Sequence, residues 1–252
     1  MSFIYLLIIF LNNNCNSFIT NMIKNINIDQ KIISITPGGF KGFYTLGICH
    51  YLKDNYDLSE FIYSGASAGS WNALFLSFNG NNKDFLNNIF DIEIKKKKTL
   101  KYIQKDMKRN ILKNYNQFDF NIDKLYIGVS YIDKCKFISK IYNEFESLED
   151  VLDCCIASSH IPFVTGGLTY YYKDKLTFDG GFGRNGILNT TNTFLISPNI
   201  WDSDIILNES ELNIKKKKLP TIERLEHLYY LGYEDSFKNR EKINDFFYNL
   251  NK

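Results

Sequence analysis

Three short stretches of the sequence carry residue types at spacings that can do chemistry. Gly65-Ala66-Ser67-Ala68-Gly69 fits the pattern G-x-S-x-G, with apolar strand-forming residues before it and a helical pattern after it. A serine on so sharp a turn is lifted off the sheet edge. Flanking residues without bulk keep the backbone from clashing and let a substrate approach, so Ser67 is the candidate nucleophile. A serine needs a base. Asp179, in Asp179-Gly180-Gly181, follows a short apolar run and sits where a carboxylate can reach a facing turn. Of the histidines, only His227 follows Asp179, as the chain order Ser, Asp, His of an α/β-hydrolase would require. His227 lies in the charged amphipathic stretch Arg224-Leu225-Glu226-His227-Leu228-Tyr229, which is expected to turn it toward solvent.

The third stretch is Ser34-Ile35-Thr36-Pro37-Gly38-Gly39-Phe40-Lys41-Gly42-Phe43, a strand running into a glycine-rich turn and then a helix. Backbone N–H groups converge on such a turn and favour a negative group, either a phosphate or a transient oxyanion. A dinucleotide loop would want an acidic residue ~20 positions on, at the end of the second strand. That strand leads instead into the Ser67 elbow. A phosphate loop of the Walker type would need Gly-Lys-Ser or Gly-Lys-Thr, and here Lys41-Gly42 is followed by Phe43. An oxyanion hole fits better, since N–H donors there can stabilise a developing O⁻ by roughly several kcal/mol.

Taken together, these pieces resemble the patatin-like phospholipase family. The resemblance rests on Pro37-Gly38-Gly39-Phe40-Lys41-Gly42, Gly65 to Gly69, Asp179-Gly180-Gly181, and Ala157-Ser158-Ser159-His160-Ile161-Pro162-Phe163, which is similar to the family's A-S-x-x-x-P-x-F block. Asn185 matches the asparagine that commonly follows the family aspartate. The likeness covers roughly residues 32–197. It implies a three-layer α/β/α sandwich with a mainly parallel central sheet, and a lipid acyl hydrolase working without a histidine. Ser67 would be the nucleophile and Asp179 the general base, with an acyl-enzyme between them. Gly38 and Gly39, with Lys41 and Gly42 as further candidates, would line the oxyanion hole. Gly65 and Gly69 would shape the elbow, and Gly180 and Gly181 the aspartate loop. No cofactor or metal is implied. Two departures stand out: Pro37 replaces a first glycine and has no N–H to give, and Asn185 is followed by Gly186 where the family has proline.

These residues must be held by a scaffold, and the hydrophobic pattern supplies one. An Ile-rich strand is expected over residues 31–36, a helix over 43–52, a strand over 60–64 and a helix over 68–78. Strand, turn and helix twice in succession open an α/β sheet with its working loops at one end. Residues 83–117 read as helical and polar, and 125–131 and 136–139 as paired strands. Ser147-Leu148-Glu149-Asp150 caps a helix that runs to Ser159. Residues 176–178 and 193–197 read as short strands, and 221–250 as amphipathic helix.

The 252 residues, 44% hydrophobic and 16% aromatic, suit one domain with a large core, taken as residues 28–252 behind an apolar extension, residues 1–27. Phe3 to Leu11 is apolar but far short of the ~20 residues a spanning helix needs. It reads as a buried first helix, an interfacial anchor or a cleaved signal. A net charge of +2 does not argue for a nucleic-acid partner. The expected partner is a lipid or membrane surface, with the lysine runs 95–98 and 215–218 read as solvated rather than lipid-binding. The expected location is cytoplasmic or peripheral to a membrane, with secretion as an alternative. The five cysteines have no metal-ligand spacing and read as buried thiols. The alternatives to a lipid hydrolase are a non-catalytic membrane-binding protein of the same fold and a Ser–Asp–His esterase using His227.

Overall fold

A computed structural model describes residues 29–90, 100–133, 136–183, 186–201 and 222–249. The expected N-terminal extension, both lysine runs and Asn185 lie outside the described residues. The chain forms a mixed α/β architecture, a central sheet with helices on both sides.

β1 (Lys31–Ile35) and β2 (Phe61–Ala66) lie side by side and parallel, with Ile35 opposite Gly65. Ile32, Ile33 and Ile35 are all fully buried. Burial on both faces is why this strand reads as a continuous apolar run instead of an alternating one. β7 (Thr193–Ile196) pairs parallel with the other edge of β1, and β3 (Leu125–Asp133) pairs parallel with β2. Beyond β3 the sheet becomes antiparallel. β4 (Lys136–Tyr142) and β6 (Lys175–Phe178) both run against β3, and β5 (Tyr171–Tyr172) forms a hairpin with β6.

The register on β3 matters most for the site. Gly128 pairs with β2 on one edge and with β4 on the other, while Ser130 pairs with β4 and with β6. β2 and β6 therefore share one edge of β3, end to end and running toward each other. β2 stops at Ala66 opposite Gly128, and β6 stops at Phe178 opposite Ser130. Both chains leave the sheet beside Val129, and the next residues are Ser67 and Asp179.

The helices hold this junction rigid. α1 (Gly42–Asn55) starts at the glycine-rich turn, and α2 (Ala68–Ser77) starts at Ser67. α3 (Asn82–Phe90) and α4 (Leu100–Asn114) follow; α5 (Leu148–Ser158) is capped by Ser147, whose hydroxyl accepts the Asp150 N–H at 3.2 Å. α6 (Ile222–Lys238) lies against α1 so closely that a Cβ on Gly47 would stand 2.0 Å from the Tyr229 carbonyl oxygen. Tyr44 of α1 donates to Asp235 of α6 at 2.9 Å, and His50 Nδ1 is bonded to the Tyr229 hydroxyl. The expected C-terminal helical stretch is divided in two, since α7 (Arg240–Asn249) begins after a break at Asn239. The far end of α2 is fixed by the Lys53 ammonium, which donates to the carbonyls of Phe75, Leu76 and Phe78.

The main core fills one face of the sheet, with Ile33, Ile35, Tyr63, Ile127 and Val129 against Tyr44, Leu74, Phe75 and Leu152. A smaller cluster of Ile32, Ile62 and Leu188 forms apart from it. Cys49, Cys154 and Cys155 are buried free thiols, and burial pushes their ionisation well up, to about 12 for Cys155.

Candidate active site

Ser67 sits at φ 55° and ψ −126°, a conformation that non-glycine residues rarely adopt and that costs roughly 1–3 kcal/mol. The surroundings hold it there. A Cβ on Gly65 would lie 2.1 Å from the Gly69 carbonyl oxygen, and one on Gly69 would lie 2.4 Å from that of Ile35. Only glycines let the elbow fold back on β2 and press against β1. Ser70 locks the turn from within, its hydroxyl donating to the Ser67 carbonyl at 2.6 Å.

The Ser67 hydroxyl donates to Asp179 Oδ2 at 2.6 Å, across 112 residues of sequence. Both residues are buried, each 6% exposed. The other carboxylate oxygen, Oδ1, accepts the Gly181 N–H at 2.8 Å. Burial pushes the Asp179 carboxyl up to about 6, and the bonds from Ser67 and Gly181 only partly offset it. An aspartate so raised is still ionised at neutral pH and is far more basic than an exposed one. It is suited to take a proton from a hydroxyl already pointing at it.

Gly180 and Gly181 keep the loop compact. The Asp179 N–H donates to the His160 carbonyl and the Gly180 N–H to that of Ser158, both at 2.7 Å. A Cβ on Gly181 would lie 3.1 Å from Pro37 Cβ, so the aspartate loop packs directly on the glycine-rich turn.

Ser158, fully buried at the end of α5, is absent from the sequence-based site and central to the observed one. Its hydroxyl accepts the Ser67 N–H at 2.8 Å and donates to the Gly128 carbonyl at 2.6 Å. One side chain thus ties the elbow to β3, and its carbonyl ties down the aspartate loop. The only sequence signal was its place in the stretch Ala157-Ser158-Ser159-His160-Ile161-Pro162-Phe163.

The glycine-rich turn lies where the sequence placed it, at the end of the neighbouring parallel strand. A Cβ on Gly42 would come within 2.6 Å of Ala68 Cβ, so the turn touches the start of α2. Its donors differ from the expected set. The Lys41 N–H is spent on the Gly38 carbonyl at 3.0 Å, and the Gly42 N–H on those of Gly39 and Phe40, closing a short 3₁₀ turn. Both amides are thus engaged within the turn itself. The N–H groups of Gly38 and Gly39 have no protein acceptor among the described residues, and Gly39 takes the positive φ of 53° that the turn requires. Ala68 adds an amide that the sequence reading omitted. At the first position of α2, it has no acceptor within the helix.

His227 is exposed on α6 and makes no hydrogen bond to Ser67 or Asp179. His160 is buried beside the aspartate loop, where its backbone carbonyl makes the contact. Among the described residues, no group of three or more His, Cys, Asp or Glu is placed to hold a metal ion.

A model of the patatin-like phospholipase family matches residues 33–191, which span both Ser67 and Asp179. The chain belongs to that family. Proteins of that family are typically lipid acyl hydrolases. No curated protein matches its sequence. Among solved structures, the fold is similar to a chain of the heterodimeric ExoU–SpcU complex from the type III secretion system of Pseudomonas aeruginosa. That similarity has a TM-score of 0.40 at 11% identity and covers 85% of this patatin-like chain. It covers 52% of the other chain, so this protein spans about half of its length. Among the described residues, no helix of this family member is long and apolar enough to cross a membrane.

Proposed function

We propose that this patatin-like protein hydrolyses acyl esters of phospholipids or related lipids through a Ser67–Asp179 dyad. The observation that carries the reading is the 2.6 Å bond from the Ser67 hydroxyl to a buried aspartate raised to about 6. In the first step Ser67 Oγ attacks the acyl carbonyl as its proton passes to Asp179. The carbonyl oxygen becomes an oxyanion received by the N–H groups of Gly38, Gly39 and Ala68, because those amides lie on the two elements that meet at Ser67. Collapse of the tetrahedral species expels the alcohol, which takes the proton from Asp179, and leaves the acyl group on Ser67. Water then gives a proton to Asp179 and attacks the acyl-enzyme. The fatty acid leaves as Ser67 Oγ regains its proton from Asp179.

Ser67→Ala is the test. Wild type should take up a fluorophosphonate label and release fatty acid from a panel of defined lipids. Ser67→Ala should do neither, with residual turnover below about a hundredth of wild type, the scale of loss seen when a nucleophile is removed. Labelling or hydrolysis that survives the substitution would end the proposal.

A further inference from the structure

Beside the site runs a stretch that spends apolar surface on solvent. From Ile161 to Tyr172 the sequence has no Asp, Glu, Lys, Arg or His. Phe163 is 60% exposed and Leu168 57%. Phe163 also has φ 63°, a genuine outlier for a bulky residue. The loop is nonetheless well tied. The Ile161 N–H donates to Thr165 Oγ1 at 2.7 Å, that hydroxyl donates to the Ser159 carbonyl at 2.8 Å, and the Phe163 N–H reaches the Gly167 carbonyl at 3.2 Å. The outward display of the ring is held by the fold.

The same loop is joined to the chemistry. The carbonyl of His160, three residues before Phe163, accepts the Asp179 N–H at 2.7 Å. Three residues of chain span at most roughly 11 Å, so Phe163 is held near the contact that anchors Asp179. A protein seated there would stand in the way of an incoming ester, whereas a lipid layer is itself the source of one. The lack of charge over twelve residues also suits an apolar interior, because no ionised group has to be desolvated on entry.

We propose that Phe163 and Leu168 insert into the surface of a zwitterionic lipid layer and seat the mouth of the site on it. This rests on the reading of the protein as a lipid hydrolase and adds where it touches its substrate phase. Full burial of a Phe or Leu side chain favours the apolar phase by roughly ten- to hundredfold. With somewhat more than half of each exposed, each is expected to contribute about tenfold to vesicle partition.

The experiment measures flotation of the full-length chain with phosphatidylcholine vesicles for Phe163→Gly, Leu168→Ser and the double variant, in the Ser67→Ala background so that turnover does not consume the vesicles. Glycine suits the positive φ, so Phe163→Gly removes the ring without straining the fold. Partition should fall about tenfold for each single variant and about a hundredfold for the double, with little dependence on salt. In the active background, hydrolysis of a soluble short-chain ester should stay within about twofold. Unchanged partition would overturn the proposal, and so would parallel loss of soluble-ester activity, which would make the loop a prop for Asp179. Binding that depends on Phe163 in a protein without hydrolase activity would uphold the docking surface while ending the hydrolase reading.

Discussion

Asparagine in place of Asp179 would keep the shape of the side chain and both of its contacts while removing the charge. Its Oδ1 can still accept the Gly181 N–H, and its Nδ2 can donate to Ser67 Oγ where Oδ2 now accepts. The carboxyl rises from an ordinary 3.8 to about 6 because of burial. A carboxyl raised in this way binds its proton more tightly in the folded chain than in the unfolded one. Below pH 3.8 both states are protonated and nothing is lost. Between 3.8 and about 6 the unfolded carboxyl ionises first, and stability declines. Above about 6 the full cost of the buried charge is in force, about 3 kcal/mol. Asp179→Asn escapes that cost, so it should abolish hydrolysis and stabilise the fold. For a chain of this size about 2–4 °C accompanies each kcal/mol. Its Tm should therefore lie about 6–12 °C above wild type at pH 8, and the two should converge near pH 4. Calorimetry of both proteins across this range reads the gap directly, because the other carboxylates cancel in the comparison. A variant no more stable than wild type at pH 8, or a gap that does not close on acidification, would refute the reasoning.

The same carboxyl sets a pH dependence of catalysis: kcat/KM should rise about tenfold per pH unit below about 6 and level off above it, and a profile flat from pH 5 to 8 would deny Asp179 the role of base. His227→Ala should leave the rate within about twofold, since His227 is exposed on α6; a loss of orders of magnitude in kcat would restore the Ser–Asp–His alternative. Ser158→Ala leaves the Ser67 N–H and the Gly128 carbonyl without their partner, at a cost of roughly 1–3 kcal/mol in stability. It should lower kcat by about tenfold or more while KM stays near wild type, and a change in KM alone would contradict a positioning role.

Most of the scaffold could be read from the chain because its signals are local. The Ile-rich run of β1, the small-residue turns and the Ser147 cap each declare themselves within a few residues, and their observed bounds differ little from the expected ones. β5 escaped notice because two tyrosines carry no period, and only pairing with β6 makes them a strand. The antiparallel half of the sheet was not foreseen as such, since strand direction is decided by distant partners. Ser67 and Asp179, which the fold brings into hydrogen-bond contact, could be singled out by their motifs, whereas the state of the amides around them could not. Whether the Lys41 N–H is spent inside the turn depends on a 3₁₀ closure that residue types alone do not specify. The role of Ser158 was hidden for the same reason, because a serine at a helix end gains its importance only from the strand and elbow brought against it.

The end-to-end meeting of β2 and β6 on β3 also has a consequence in time. Ser67 emerges from the ribosome before Asp179, with its elbow and helix specified locally. Its carboxylate arrives 112 residues later and is brought into place by the pairing of β6 with β3, across nearly fifty residues of chain. Loop closure of that length comes late, because its entropy must be met before the contact rewards it. A chain still being made, or only partly folded, carries an unpaired serine and no base. On the proposed function, the hydrolase would thus be inert while it is least compact. Competence would arrive only with the completed sheet.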